Sequence, residues 1–248
     1  MTHQPWIQTH TGRPFPLMTP AAEDVDFRVM AVALGRLCRF GGHCTAFYSV
    51  AQHSVLAVQV MEEAVRTSRG RALLMSAVPT DQQHDVHKLF RRVELDDEAL
   101  RKLQLATLLH DGHEAYIGDI ATPVAQAIAR CAGDGYNPVA FLKTGVDIAV
   151  ACAAGLTYPM PMSWHAAIKA ADLVMLATEK RDLMVDGPEW AQRLPAPASF
   201  AIKPQPEHLA ADTFLQRLNG LLPRASFNLK GVIEAVDRVA KQYPTGVV

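Results

Sequence analysis

Apolar and polar residues hardly ever alternate one by one along this chain. They return instead every third or fourth position, the period of a helix face and not of a strand. The stretch FRVMAVALGRL, which follows Asp24, has this spacing. So do FYSVAQHSVLAVQVMEEAV (Phe47–Val65), DDEALRKLQLATLLHD, FLKTGVDIAVACAAG and PMSWHAAIKAADLVMLATEKRDLM. Arg39-Phe40-Gly41-Gly42 breaks the first two apart, and Thr122-Pro123 opens another helix. An all-α fold follows. The 248 residues, 49% hydrophobic, can bury one substantial core, so residues 1–248 are expected to form a single domain. Its helical core spans roughly 24–185, with a polar insertion at 66–100 carrying short surface helices and a pair of closing helices within 207–242. Residues 1–20 are rich in Pro, Thr and Gly and form a short irregular segment, in which Thr11-Gly12 suits the turn of a small hairpin.

A net charge of −1 indicates no general polyanion-binding surface, which argues against long nucleic acid as a partner. The four cysteines lack the CxxC spacing of a zinc knuckle and read as reduced thiols. The N-terminus has no apolar core of a signal peptide, and the run Ile148 to Leu156 is too short to cross a bilayer. A cytoplasmic protein without membrane attachment is the expectation.

The chemistry concentrates in TLLHDGHEAYIGDI, Thr107 to Ile120. His110 and Asp111 close an apolar run. Helical neighbours point about 100° apart, so they can share an ion only beside a helix end. Imidazole and carboxylate together suit a divalent metal. Two ligands do not complete a site, and two further polar residues lie among core-type neighbours: His53, on a helix face with Val50, Leu56, Ala57 and Val60, and Asp172, in AIKAADLVMLA. Burying either unpaired is costly, and a shared cation relieves that cost. The plain alternatives are a hydrogen-bonded core histidine for His53 and a pair with Lys169 or Lys180 for Asp172.

The order His, His-Asp, Asp on helices resembles the HD-domain metal-dependent phosphohydrolases at His53, His110, Asp111 and Asp172. It is more similar to their nucleotidase-like branch, the bacterial 5′-deoxynucleotidases and phage-type HD hydrolases. There the His-Asp is followed by Glu three positions on and by Gly-Asp before Thr-Pro or Arg-Pro, matched here by Glu114, Gly118-Asp119 and Thr122-Pro123. The resemblance covers roughly residues 5 to 220. It implies an HD helical bundle holding one divalent ion (cobalt, manganese, zinc, nickel, iron or magnesium) through those four ligands. It implies Asp119 as general base and Glu114 as proton carrier or orienter of the attacking water. Arg39 matches an Arg that grips phosphate, next to a Trp whose place Phe40 takes, and His113 flanks the same substrate region. The expected partner is a small nucleotide, and family likeness suggests a homo-oligomer. The leading expectation is release of phosphate from (deoxy)nucleoside 5′-monophosphates, with triphosphate cleavage as the alternative and a non-catalytic nucleotide-binding module as a further one. Alarmone hydrolysis fits less well, because Ala115 stands where those enzymes place an acid after Glu. A cyclic-nucleotide phosphodiesterase would need more histidines than His113 adds.

The same residues also admit structural roles. Glu114 and Asp119 could form salt bridges or cap the helix before Pro123, and Arg39 could pair with an acidic neighbour. A second His-Asp, His84-Asp85 with His87, follows the polar Thr-Asp-Gln-Gln and reads as a solvated helix. His43 also lies close by in sequence. His165 stands about 10 Å along its helix from Asp172, too far to share an ion.

Overall fold

The computed structural model describes residues 4–133 and 135–223. Ten α-helices carry the fold among the described residues: α1 (Phe27–Arg36), α2 (Val50–Arg66), α3 (Ser68–Ala77), α4 (Gln83–Val93), α5 (Asp97–Leu108), α6 (Glu114–Ile117), α7 (Thr122–Ala132), α8 (Pro138–Ala153), α9 (Met162–Leu183) and α10 (Glu207–Leu221). Their sheet is an antiparallel hairpin, β1 (Trp6–Gln8) with β2 (Pro14–Pro16), turned at the expected Thr11-Gly12. The fold is all-α. The second of the closing helices expected within 207–242 lies outside the described residues.

Helix α2 is the axis of the molecule, packing against α1, α3, α5, α9 and α10. It is buried nearly all round, as a helix in that position must be. Ala57, Val60, Met61 and Ala64 join one apolar cluster with α3, α4, α5 and α9. Val50, Ala51 and Val58 join a second one with α1, α5, α8 and α10. The helix begins at Val50, not at Phe47, because Ser49 caps it by accepting the Gln52 amide at 3.2 Å. Asp96 caps α5 in the same way, through the Glu98 and Ala99 amides.

Two further expectations need correction. The 66–100 segment is not a polar surface insertion. Leu74 and Met75 of α3, and Val86, Leu89, Phe90 and Val93 of α4, belong to the first core cluster. Their apolar positions recur at helical spacing between charged ones, so the average polarity hid an amphipathic pair. Its second His-Asp does face outward: His84, Asp85 and His87 are exposed. The other correction concerns α5, which stops at Leu108, so His110 and Asp111 sit in the turn that follows it.

The close crossing of α1 with α10 depends on Gly35. A β-carbon there would stand 2.7 Å from the Glu207 carbonyl oxygen and 2.8 Å from the Ala211 β-carbon, so α10 could not lie where it does. The N-terminal hairpin is tied down by Phe15, which is fully buried and stacks on Tyr116 of α6 with ring centres 3.6 Å apart. No described helix is long and apolar enough to cross a membrane.

Candidate metal centre

Three elements deliver the four expected ligands to one place. His53 comes from the first turns of α2, His110 and Asp111 from the turn after α5, and Asp172 from the middle of α9. His53 Nε2 lies 3.3 Å from His110 Nε2, 3.4 Å from Asp172 Oδ1 and 3.6 Å from Asp111 Oδ2. His110 Nε2 lies 3.2 Å from Asp111 Oδ2 and 3.9 Å from Asp172 Oδ1. Ligands about 2.1 Å from a common ion would stand roughly 3.0–3.4 Å apart at octahedral or tetrahedral angles, which is close to this spacing. Because α5 has ended, the backbone turn lets His110 and Asp111 converge, which an intact helix would forbid.

The chemistry of the donors supports the same conclusion. His110 Nδ1 sits 2.8 Å from the Thr107 carbonyl oxygen, an acceptor only, so that nitrogen carries the proton. His53 Nδ1 meets Glu179 Oε1 at 2.5 Å. Each imidazole is thereby oriented with Nε2 toward the other three groups. Two carboxylate oxygens this close to two Nε2 atoms favour positive charge among them. Burial and the Arg39 guanidinium press the His53 imidazole down, but Glu179 and Asp172 outweigh them and hold its pKa up at about 9. Burial would raise the Asp172 carboxyl, yet the His53 hydrogen bond and the charges of Lys169 and His110 keep it below the usual carboxylate range. Asp111 is held low as well, with His110 and His53 overcoming its burial. In the metal-free protein a proton on His53 thus takes part of the role a cation would fill. The donor set fits a divalent ion.

Glu179 is the feature the sequence reading missed. It is fully buried, accepts from His53 and is paired on its other oxygen with Arg39, whose Nη2 and Nε lie 3.1 and 3.3 Å away. It stands seven residues after Asp172, two helical turns along the same face of α9, and that spacing was the available signal. Arg39, expected to hold phosphate, is bound to this carboxylate, with Nη1 3.6 Å from Asp111 Oδ2. Its guanidinium also lies over the Phe40 ring, 5.4 Å from the centroid. Asp172 does pair with Lys169, at 2.6 Å through Oδ2, while Oδ1 faces the histidines.

The acids beyond the ligand set differ from each other. Gly118 turns the chain out of α6 at φ +83° and delivers Asp119, whose Oδ2 accepts the Phe40 amide at 3.1 Å. Phe40 has a left-handed φ of 58°, rare for a residue with a side chain. Burial, and secondarily Asp111, raise the Asp119 carboxyl above its ordinary value. Glu114 is pushed further, to about 10, by burial and then by the charges of Asp111 and Asp119. Its Oε2 is buried with no hydrogen-bond partner among the described residues. His113 contacts Lys143 and Asp147 of α8. The Phe40 ring is 6.5 Å from that of Trp190, an aromatic neighbour that sequence spacing did not indicate. His43 is exposed and outside the cluster.

No family model matches the chain. It is 28% identical over 219 residues to the uncharacterized protein YfdR of Escherichia coli, an alignment covering 87% of this chain and 95% of that protein. It is 29% identical over 218 residues to an uncharacterized protein of Rhodobacter capsulatus, covering 84% of this chain and 92% of that one.

Proposed function

We infer that this protein is an HD-type metal-dependent phosphohydrolase that releases phosphate from (deoxy)nucleoside 5′-monophosphates. The observation carrying this reading is that His53, His110 and Asp172, from α2, the turn after α5 and α9, bring their ligand atoms within 4.8 Å of one another, with Asp111 Oδ2 3.2 Å from His110 Nε2. His53, His110, Asp111 and Asp172 would hold the ion. When bound, it supplies Lewis-acid polarisation of a phosphoryl oxygen and makes its water more acidic.

The acids divide the remaining work. Asp119, more basic than an ordinary aspartate and oriented by the Phe40 amide, takes a proton from the attacking water as its oxygen bonds to phosphorus. Glu114, whose buried Oε2 has no other hydrogen-bond partner among the described residues, carries a proton to the ester oxygen as the phosphorus–oxygen bond breaks. The products are a nucleoside and inorganic phosphate. Arg39 balances Asp111 and Glu179 and keeps both ionised.

The test is a phosphate-release screen over ribo- and deoxynucleoside mono- and triphosphates, run after chelation and reloading with cobalt, manganese, zinc, nickel, iron or magnesium. Release from monophosphates that depends on added metal is expected. Release from triphosphates alone would move the assignment to a triphosphohydrolase, and no release with any metal would overturn the enzymatic reading.

A further inference from the structure

Next to the metal ligands, three polar groups are gathered that the mechanism above does not use. Lys143 and Asp147 are one turn apart on α8, and both reach His113 in the turn before α6. Lys143 Nζ lies 3.0 Å from His113 Nδ1 and 3.2 Å from its Nε2, and 3.3 Å from Asp147 Oδ2. Asp147 Oδ1 is 3.1 Å from His113 Nδ1. The ligand atoms of Asp111, His113 and Glu114 all fall within 4.8 Å of one another. The trio therefore borders the metal ligand Asp111 and the orphaned carboxyl of Glu114.

Asp111, His113 and Glu114 alone would suit a second cation. Lys143 already brings a full positive charge to His113, and a second metal would have to displace it. An ammonium has three donors. A neutral imidazole accepts at one nitrogen only, so among the described residues His113 and Asp147 take two of the three, which leaves one free. Its side chain is 41% exposed while that of His113 is 8% exposed, so the charge is anchored from the protein side and open on the other. Arg39 is committed to Glu179 and Asp111, and Lys169 to Asp172, whereas the contacts of Lys143 are to His113 and Asp147, outside the four-ligand set.

We propose that Lys143, anchored by His113 and Asp147, binds a non-bridging oxygen of the substrate's terminal phosphate. Its ammonium stands beside the Asp111, His113 and Glu114 group that could otherwise hold a second cation. A point-charge ammonium suits a phosphate monoester dianion, whose charge is spread over three terminal oxygens. Identifying the ligand as a substrate phosphate rests on the phosphohydrolase reading, but binding of phosphate is measurable without turnover.

Manganese-loaded wild-type protein, Lys143→Met and Lys143→Arg are titrated with inorganic phosphate by calorimetry, with metal content and thermal midpoint recorded for each. Loss of a charge-assisted hydrogen bond predicts phosphate affinity weakened about 10- to 100-fold in Lys143→Met. Most of it returns in Lys143→Arg, with one metal per chain and similar midpoints throughout. If monophosphates are turned over, Lys143→Met raises KM more than it lowers kcat. Unchanged phosphate affinity in Lys143→Met, no phosphate binding by the wild type, a lower midpoint without an affinity change, or two metals per wild-type chain would each overturn the proposal. Phosphate binding that depends on Lys143, with no nucleotide hydrolysed, would instead remove the enzymatic reading and leave this site standing.

Discussion

His53 of α2 and Glu179 of α9 are joined at 2.5 Å through Nδ1 and Oε1, although both side chains are fully buried. The contact fixes the tautomer and angle of the imidazole, so that Nε2 is free for a cation. Glu179→Gln should therefore weaken divalent-metal affinity by about 10- to 100-fold, as loss of an outer carboxylate partner does. The amide also removes the nearer of the two counter-charges of the buried Arg39, leaving Asp111 at 3.6 Å, so a loss of about 1–3 kcal/mol of stability should accompany it. Metal competition against a chromogenic chelator and urea denaturation measure the two effects. Wild-type metal affinity in Glu179→Gln would show that the buried contact does not tune the histidine.

Asp111→Ala removes a ligand from the turn between α5 and α6 and replaces no residue of a helix. Metal content and phosphate release should be lost together, with far-ultraviolet circular dichroism close to wild type. Full turnover by a metal-free variant would eliminate the proposed mechanism.

Asp119→Asn keeps an oxygen for the Phe40 amide but cannot accept a proton from water. Hydrolysis should slow by about 10²- to 10⁴-fold, the usual worth of a general base, with metal affinity little changed. Steady-state kinetics at saturating metal decide this, and an unchanged rate excludes Asp119 as the base.

Glu114 gives the metal-free protein a specific pH dependence. Below about 4.5 its carboxyl is protonated both folded and unfolded. Between about 4.5 and about 10 the unfolded chain ionises it while the fold holds the proton, so its contribution to stability falls as pH rises. Glutamine is neutral throughout. Glu114→Gln should gain stability relative to wild type steadily from pH 5 to pH 9, read as the difference in urea midpoints. Subtracting wild type cancels the groups common to both proteins. A flat difference would mean that Glu114 ionises freely in the fold.

Gly35→Ala tests the α1–α10 crossing. Its new methyl would meet the Glu207 carbonyl and Ala211, and backbone cannot swing aside as a side chain does. A loss of about 1–3 kcal/mol is expected from such overpacking, despite the better helix propensity of alanine. A thermal midpoint at or above that of wild type would show that α10 shifts without cost.

Helical periodicity alone determined the class of fold, because a 3.6-residue apolar repeat can bury one face only as a helix. Ordered polar residues among apolar ones also made His53, His110, Asp111 and Asp172 legible, since a buried charge demands a partner wherever the chain leads. Tertiary packing decided the rest. Only the early end of α5 lets His110 and Asp111 converge, and only the crossing of α2 with α9 brings Glu179 to His53. Lys143 reaches His113 across thirty residues because α8 packs beside α6. Composition misplaced α3 and α4 on the surface, since average polarity does not record which face of a helix its charges occupy. Local sequence records which groups need partners; the distances at which they find them are set by packing between elements remote in the chain.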